Sequence, residues 1–295
     1  MTSIKSLTGI AKLLTLFTLL TLVITITTTA QQPNKMIKPT ASGHAPVNGI
    51  SMYYEIYGSG NTPLVLIHGG GSTIETTFGN ILPLLAGYGK LIAVELQAHG
   101  RTSDRDAPES FEQDADDVAA LLKQLKIEKA NFVGFSNGGT TTLQIAIRHP
   151  QVVNKIVMIA AASKREGLIK GFFDFMPNAT LENMPAKLKE AYIKVAPDKT
   201  RLQVMFEKDK QRMINFTDIN DEDMKAIKAP ALFMVGDRDV VTPEHTVNML
   251  RLLPNAQLVI LPGLHGECIG EIETTKKNSQ QPAVSATLIK EFLNN

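Results

Sequence analysis

The chain has 295 residues, 43% hydrophobic and 20% charged, enough for one large domain or one domain with an insertion, and too apolar and evenly charged to be disordered. Lys5 and Lys12 are the only charges in the first thirty residues, so the rest carries 28 basic against 29 acidic side chains, a balance that offers no footprint for nucleic acid or an anionic membrane. The single cysteine, Cys268, cannot form an internal disulfide, so an exported form has to be stable without one.

Residues 1–30 read as a signal peptide. Two lysines precede the apolar run "LLTLFTLLTLVITITTTA", which ends in the small residues Thr28 and Ala30, and cleavage after Ala30 is expected. Export to the periplasm or the medium follows, with no stable membrane association after cleavage. The alternative is a retained anchor, for which the many threonines make the stretch weakly apolar. Residues 31–46, "QQPNKMIKPTASGHAP", are polar and proline-bearing and read as a linker.

Beyond the linker, strand and helix patterns alternate. "ISMYYEIYG" alternates like a half-buried strand. "PLVLIHGGG", "KLIAVEL", "KANFVGF" and "NKIVMIA" are short continuous apolar runs, as in strands buried on both faces. Helix patterns fall between them, near 77–87, at 111–125 with acidic residues at the N-terminal end, and at 138–150, stopped by Pro150. From 164 to 224 the strand signal stops and the chain reads as mixed helix. The rhythm returns with "APALFMVG", a helix over 243–253, "AQLVILPG" and a last helix over 283–293. This order predicts an α/β fold: a mostly parallel central sheet flanked by helices, with its core in 47–163 and 225–295 and a helical lid insertion over 164–224.

Ligands of open α/β sheets bind beyond the carboxyl ends of the strands. Four predicted strands deliver polar or glycine-rich residues there. One ends in "HGGG" (His68 to Gly71), one in "GFSNGG" around Ser136, one in "GDRDVVTP" with Asp237 and Asp239, and one in "PGLHGE" with His265. A serine needs a base to take its proton and an acid to orient that base. The glycines flanking Ser136 suit a sharp strand-to-helix turn, and the "HGGG" backbone offers N–H groups to an oxyanion.

This combination resembles the α/β-hydrolase family, specifically a lidded, serine esterase-like branch, over roughly residues 47 to 293. The loop "ELQAHGRTSD" also resembles the family's loop after the fourth strand, with Glu95, Ala98 and Thr102 departing from the usual residues. The resemblance implies a catalytic triad of Ser136 as nucleophile, His265 as general base and Asp239 as acid, with Asp237 the alternative. It implies backbone N–H groups of Gly70 and Asn137 as the oxyanion hole, or Gly71 if the loop is shifted by one. The implied activity is hydrolysis of a small-to-medium, mainly apolar ester or related acyl compound. Lactone, C–C bond and cofactor-free perhydrolysis chemistry stay open on the same fold, as does a non-catalytic receptor. No metal-ligand spacing and no G-x-G-x-x-G after a strand is present, so neither metal nor nucleotide cofactor is expected.

His68 reads as loop-shaping, His99 and His149 as structural, and His245 as the start of a helix. Cys268 reads as a buried inert thiol. The insertion carries Phe172, Phe173, Phe175, Met176, Met184, Met205, Phe206, Met213 and Phe216. Most are expected to pack the insertion onto the core, and a few to wall an apolar substrate pocket.

Overall fold

The computed structural model describes residues 37–295. The expected signal peptide and the first part of the linker, to residue 36, lie outside the described residues. Five strands carry the buried runs: β3 (Leu64–Ile67), β4 (Leu91–Val94), β5 (Ala130–Phe135), β6 (Val153–Ile159) and β7 (Ala231–Gly236). With β1 (Ala41–Val47), β2 (Ile50–Tyr57) and β8 (Ala256–Leu261) they form one eight-stranded sheet, in the order β1-β2-β4-β3-β5-β6-β7-β8. β2 is antiparallel to both its neighbours, β1 and β4, and every other pairing is parallel.

The apolar runs build two cores because successive side chains leave a strand on opposite faces. Val65, Ile67, Ile92, Val94, Phe132, Ile156, Met158 and Phe233 face one way. There they meet α3 (Phe111–Gln124) and α4 (Asn137–Arg148) through residues such as Val118, Leu121, Leu143 and Ile145. Leu64, Leu66, Leu91, Val133, Val157, Ile159 and Leu232 face the other way. Their partners are α1 (Ile74–Phe78), α2 (Leu82–Leu85) and α10 (Gln281–Asn294). At roughly 25 cal/mol per Å² of apolar surface buried, these two layers are the main stabilising term.

The sheet order reverses direction around β3: β4 lies on one side of it and β5 on the other. At such a switch point the loops leaving adjacent strands diverge and open a crevice. Ile67 is in register with Gly134, so the "HGGG" loop and the Ser136 turn emerge side by side.

Two expected boundaries move. Residues 41–46, read as linker, belong to β1, which pairs along its whole length with β2, from Ala41 opposite Ile56 to Val47 opposite Ile50. Only Ala45 and Val47 of β1 are buried, so as an edge strand it carries almost no apolar pattern and is held mainly by backbone hydrogen bonds. The end of the helical insertion also differs. Its helices are α5 (Phe172–Phe175), α6 (Ala186–Val195), α7 (Leu202–Ile214) and α8 (Asp221–Ala226). Ile219 and Met224 pack in the main core rather than above the sheet, so the last few residues of the segment read as lid belong to the core.

Candidate active site

β5 ends at Phe135 and α4 begins at Asn137, which leaves Ser136 alone in the turn at φ 54°, ψ −121°. A non-glycine residue held there carries of order 1–3 kcal/mol of strain and persists only when its surroundings over-determine it. Here they do. The Ser136 N–H donates to the Ile159 carbonyl at 2.8 Å, and its carbonyl accepts from Gly139 at 2.9 Å and Thr140 at 3.1 Å. A Cβ on Gly134 would collide with the Gly138 carbonyl, and one on Gly138 with the Ile67 carbonyl. Both glycines are therefore required by close backbone approach.

The turn aims Ser136 at His265. Its Oγ lies 3.0 Å from His265 Nε2, and His265 Nδ1 lies 2.6 Å from Asp239 Oδ1. With Nδ1–H donating to the carboxylate, Nε2 is left to accept the serine proton. Burial disfavours a charged His265, but the charge and hydrogen bond of Asp239 outweigh it and raise the imidazole pKa above its ordinary value. Asp239 is itself buried and is steadied by the Val241 N–H at 3.0 Å. The Phe135 ring lies 4.7 Å from the His265 ring and walls it on one side.

Asp237 has a different place. Its half-exposed carboxylate accepts the Gly263 N–H at 2.7 Å and does not join His265. It braces the loop that delivers the histidine, two residues downstream of that contact.

Gly70 and Asn137, whose amides are implied for an oxyanion hole, line the same cavity as Ser136. Among the described residues no protein acceptor takes the N–H of Gly70 or Asn137. Asn137 is the first residue of the 12-residue α4, so its amide is an unpaired donor at the positive end of a helix. Gly71 N–H is not free: it donates to the Asp209 carboxylate. The shifted-loop alternative is thereby excluded on hydrogen-bonding grounds.

The histidines read as structural take structural places. His68 is fully buried; burial and neighbouring His99 push its pKa down to about 3, and its Nε2 accepts the Leu96 N–H at 3.0 Å. His245 is the third residue of α9 (Pro243–Leu252), and its Nε2 accepts the Ser163 N–H at 3.1 Å where the chain leaves the sheet for the insertion. His149 pairs with Asp116 at 2.7 Å, away from the crevice. His99 is more than a loop residue, because its Nε2 meets Asp209 of α7 at 2.9 Å. Burial opposes a charge on His99, yet Asp209 wins and raises its pKa to about 9. Cys268 is buried, which pushes its thiol up to about 12 and leaves it unreactive. In the loop after β4, Glu95 accepts the Arg101 N–H at 2.6 Å and pairs with its guanidinium at 2.7 Å, so this departure from the family pattern is satisfied locally.

A cavity of about 390 Å³ opens over Ser136 and His265. Of the nine apolar insertion residues, all but Phe173 line it, where most were expected to pack against the core. The insertion is assembled from short helices with only a small apolar cluster of their own around Met184, Tyr192 and Met205. Most of its phenylalanines and methionines line the crevice instead. Asp209 is the polar feature missed in the sequence. "EKDKQR" reads as a solvated helix face, and nothing in it marks Asp209 as pointing inward.

The family model for the alpha/beta hydrolase fold matches residues 62–191. A dihydrolipoyllysine-residue acetyltransferase component of the acetoin cleaving system of Pseudomonas putida is 28% identical over 242 residues, covering 75% of this chain and 64% of that one. The human serine hydrolase BPHL is 34% identical over 127 residues, 41% of this chain and 43% of its own. The chain thus matches less than two thirds of the length of either relative. The crystal structure of the enol-lactonase from Burkholderia xenovorans LB400 superposes with a TM-score of 0.67 at 21% identity, over 85% of this chain and all of that one.

The His99–Asp209 pair has a consequence for stability. A histidine whose pKa is raised by folding stabilises the fold fully below its unfolded pKa of about 6.5, and that contribution is lost as pH rises through the folded value near 9. The melting temperature should therefore fall between pH 6.5 and 9.5. The same scan on His99→Gln should be flatter over that window.

Proposed function

Because the chain belongs to the α/β-hydrolase fold family, we propose that it is a serine hydrolase acting on a small-to-medium, neutral and mainly apolar ester or related acyl compound. One observation carries this reading: the Ser136–His265–Asp239 relay, with contacts of 3.0 and 2.6 Å, set under the free amides of Gly70 and Asn137. Ser136 Oγ attacks the carbonyl carbon while His265 Nε2 takes its proton. The oxyanion accepts from the two amides, and electrostatic help of this kind is usually the largest catalytic term. His265 then gives the proton to the leaving alcohol. Water, deprotonated by the same nitrogen, attacks the acyl-enzyme and releases the acid. Asp239 holds the imidazole in the needed tautomer and stabilises its cation throughout.

Size and charge of the cavity narrow the substrate. About 390 Å³ is near the low end for small-molecule sites. Among the described residues, Lys210 is the only basic side chain lining it apart from His265, and its ammonium is held by Glu207 at 3.1 Å and the Ala179 carbonyl at 3.1 Å. With no unpaired cation there, the cavity suits a neutral acyl compound over one carrying a carboxylate. Lactones fit this description; an anionic substrate of C–C bond hydrolysis fits it less well. A non-catalytic receptor would have no need of a strained serine in register with a histidine–aspartate pair.

A fluorophosphonate probe should label the purified protein, and Ser136→Ala should abolish labelling. Turnover of p-nitrophenyl esters should favour short and medium acyl chains over long ones. An unlabelled wild-type protein would sink the hydrolase reading.

The base must be neutral to act, so activity is lost as pH falls through the raised pKa of His265. The acid limb of kcat/KM should have its midpoint above the ordinary histidine value of about 6.5. In Asp239→Asn that limb should move to lower pH, because the main opposition to burial is then removed, while kcat drops by roughly 10⁴-fold. The matching change at Asp237 should leave the midpoint in place.

Export remains part of the proposal, supported by the pattern of residues 1–30. N-terminal sequencing of protein recovered outside the cytoplasm should begin at Gln31.

A further inference from the structure

Asp209 lies on α7 of the insertion, far in sequence from every residue discussed for the chemistry, yet it touches both walls of the oxyanion hole. Its Oδ2 accepts the N–H of Gly71, the peptide that directly follows Gly70. Its Oδ1 lies 3.4 Å from the side-chain amide of Asn137, whose backbone N–H is the other donor. The space a side chain on Gly70 would need is already taken: a Cβ there would lie 2.5 Å from Asn137 Nδ2 and 3.2 Å from Asp209 Oδ2. So the carboxylate fixes one of the two peptide planes that flank Gly70 and limits the motion of Asn137.

A bare carboxylate beside a forming oxyanion would repel it. Here two cations flank it. His99 Nε2 lies 2.9 Å from Oδ2, and the Arg212 guanidinium donates to Oδ1. Since the His99 Nε2–H points at the carboxylate, the Gly71 N–H is left to Asp209 rather than to the ring. Arg212 is buried and is held in turn by Asp114 at 2.6 Å and approached by Glu109 at 3.6 Å, both on the core side. These five ionisable groups join the insertion to the core directly behind the hole. Packing alone does not call for them: buried ion pairs can often be replaced by apolar residues with no loss of stability. Orienting two amides does call for a fixed, directional acceptor.

We propose that Asp209 is a positioning residue that couples seating of the insertion to assembly of the oxyanion hole. The hole is fully ordered only when α7 is docked and its carboxylate has engaged Gly71 and Asn137. A substrate that fills the apolar cavity and holds the insertion down thereby also completes the electrostatic site.

The proposal rests on the serine hydrolase reading, and its test keeps the two apart. Wild type, Asp209→Ala and Asp209→Asn are compared in the rate of Ser136 phosphonylation by a fluorophosphonate, in kcat and KM for a p-nitrophenyl ester, and in thermal unfolding. Loss of an ordered oxyanion donor costs roughly 100-fold in kcat. Asp209→Ala should therefore lower both kcat and the phosphonylation rate by a factor of that order, with KM changed less than about threefold. Asp209→Asn keeps an oxygen for the Gly71 N–H and should recover part of the loss. If Asp209→Ala fails to fold, the Asn variant decides alone: a phosphonylation rate below wild type supports the proposal. Wild-type phosphonylation rates in the folded variants, or a raised KM with unchanged kcat, would overturn it and leave the hydrolase reading standing. An unlabelled wild-type protein would remove both.

Discussion

The turn at Ser136 is the constraint on which the rest of the molecule is arranged. Its backbone sits where a side chain is unwelcome, and the carbonyl and amide groups of β6 and α4 hold it there. The strain is bearable because Gly134 and Gly138 let three stretches of backbone come closer than any side chain would allow. In return the serine oxygen stands clear of the sheet, above the switch point and at the positive end of a helix. His265 and Asp239 arrive from neighbouring strand ends of the same sheet, and the spacing of β5, β7 and β8 becomes the spacing of a hydrogen-bonded serine–histidine–aspartate relay.

Around that relay the polar groups divide into two sets. Asp239 and His265 form one, which tunes a base. Asp209, His99, Arg212, Asp114 and Glu109 form the other, which lies behind the "HGGG" loop and joins insertion to core. In the second set burial pushes the carboxyl of Glu109 up to about 8 and that of Asp114 up to about 6, while Asp209, despite the same burial, is held well below the carboxylate range by Arg212 and His99.

Much of the architecture was legible because its physics is local. Continuous apolar runs such as "LVLI" and "LIAV" suit strands covered on both faces, and each of them is one. The residues that the site brings together were legible for another reason: each stands one or a few positions beyond such a run. β1 was not legible from hydrophobic pattern, since its stability comes from pairing rather than burial. A different signal was available. Asn48 and Gly49, with φ of 41° and 89°, form the two-residue turn that joins β1 to β2, and Asn-Gly between two extended segments is a strong hairpin mark. Asp209 had no such mark. Its role depends on how a short helix is rotated over the sheet, and that rotation is set by tertiary packing. The same holds for the large apolar residues of the insertion, whose type was readable but whose direction was not.

Among the described residues no unpaired cation lines the cavity, and on the proposed function this bears on how a product would leave. Hydrolysis of an ester creates a carboxylate where a neutral carbonyl had been. Lys210 is already engaged, and Asp209 holds its cations away from the cavity. Under the proposed ester hydrolysis, an acid formed beside Ser136 would meet mainly apolar walls and no free counter-ion, and water outside would solvate it far better. On that proposal, the wall that would admit the neutral compound is poorly suited to keeping its charged product, and the change in charge would itself clear the site.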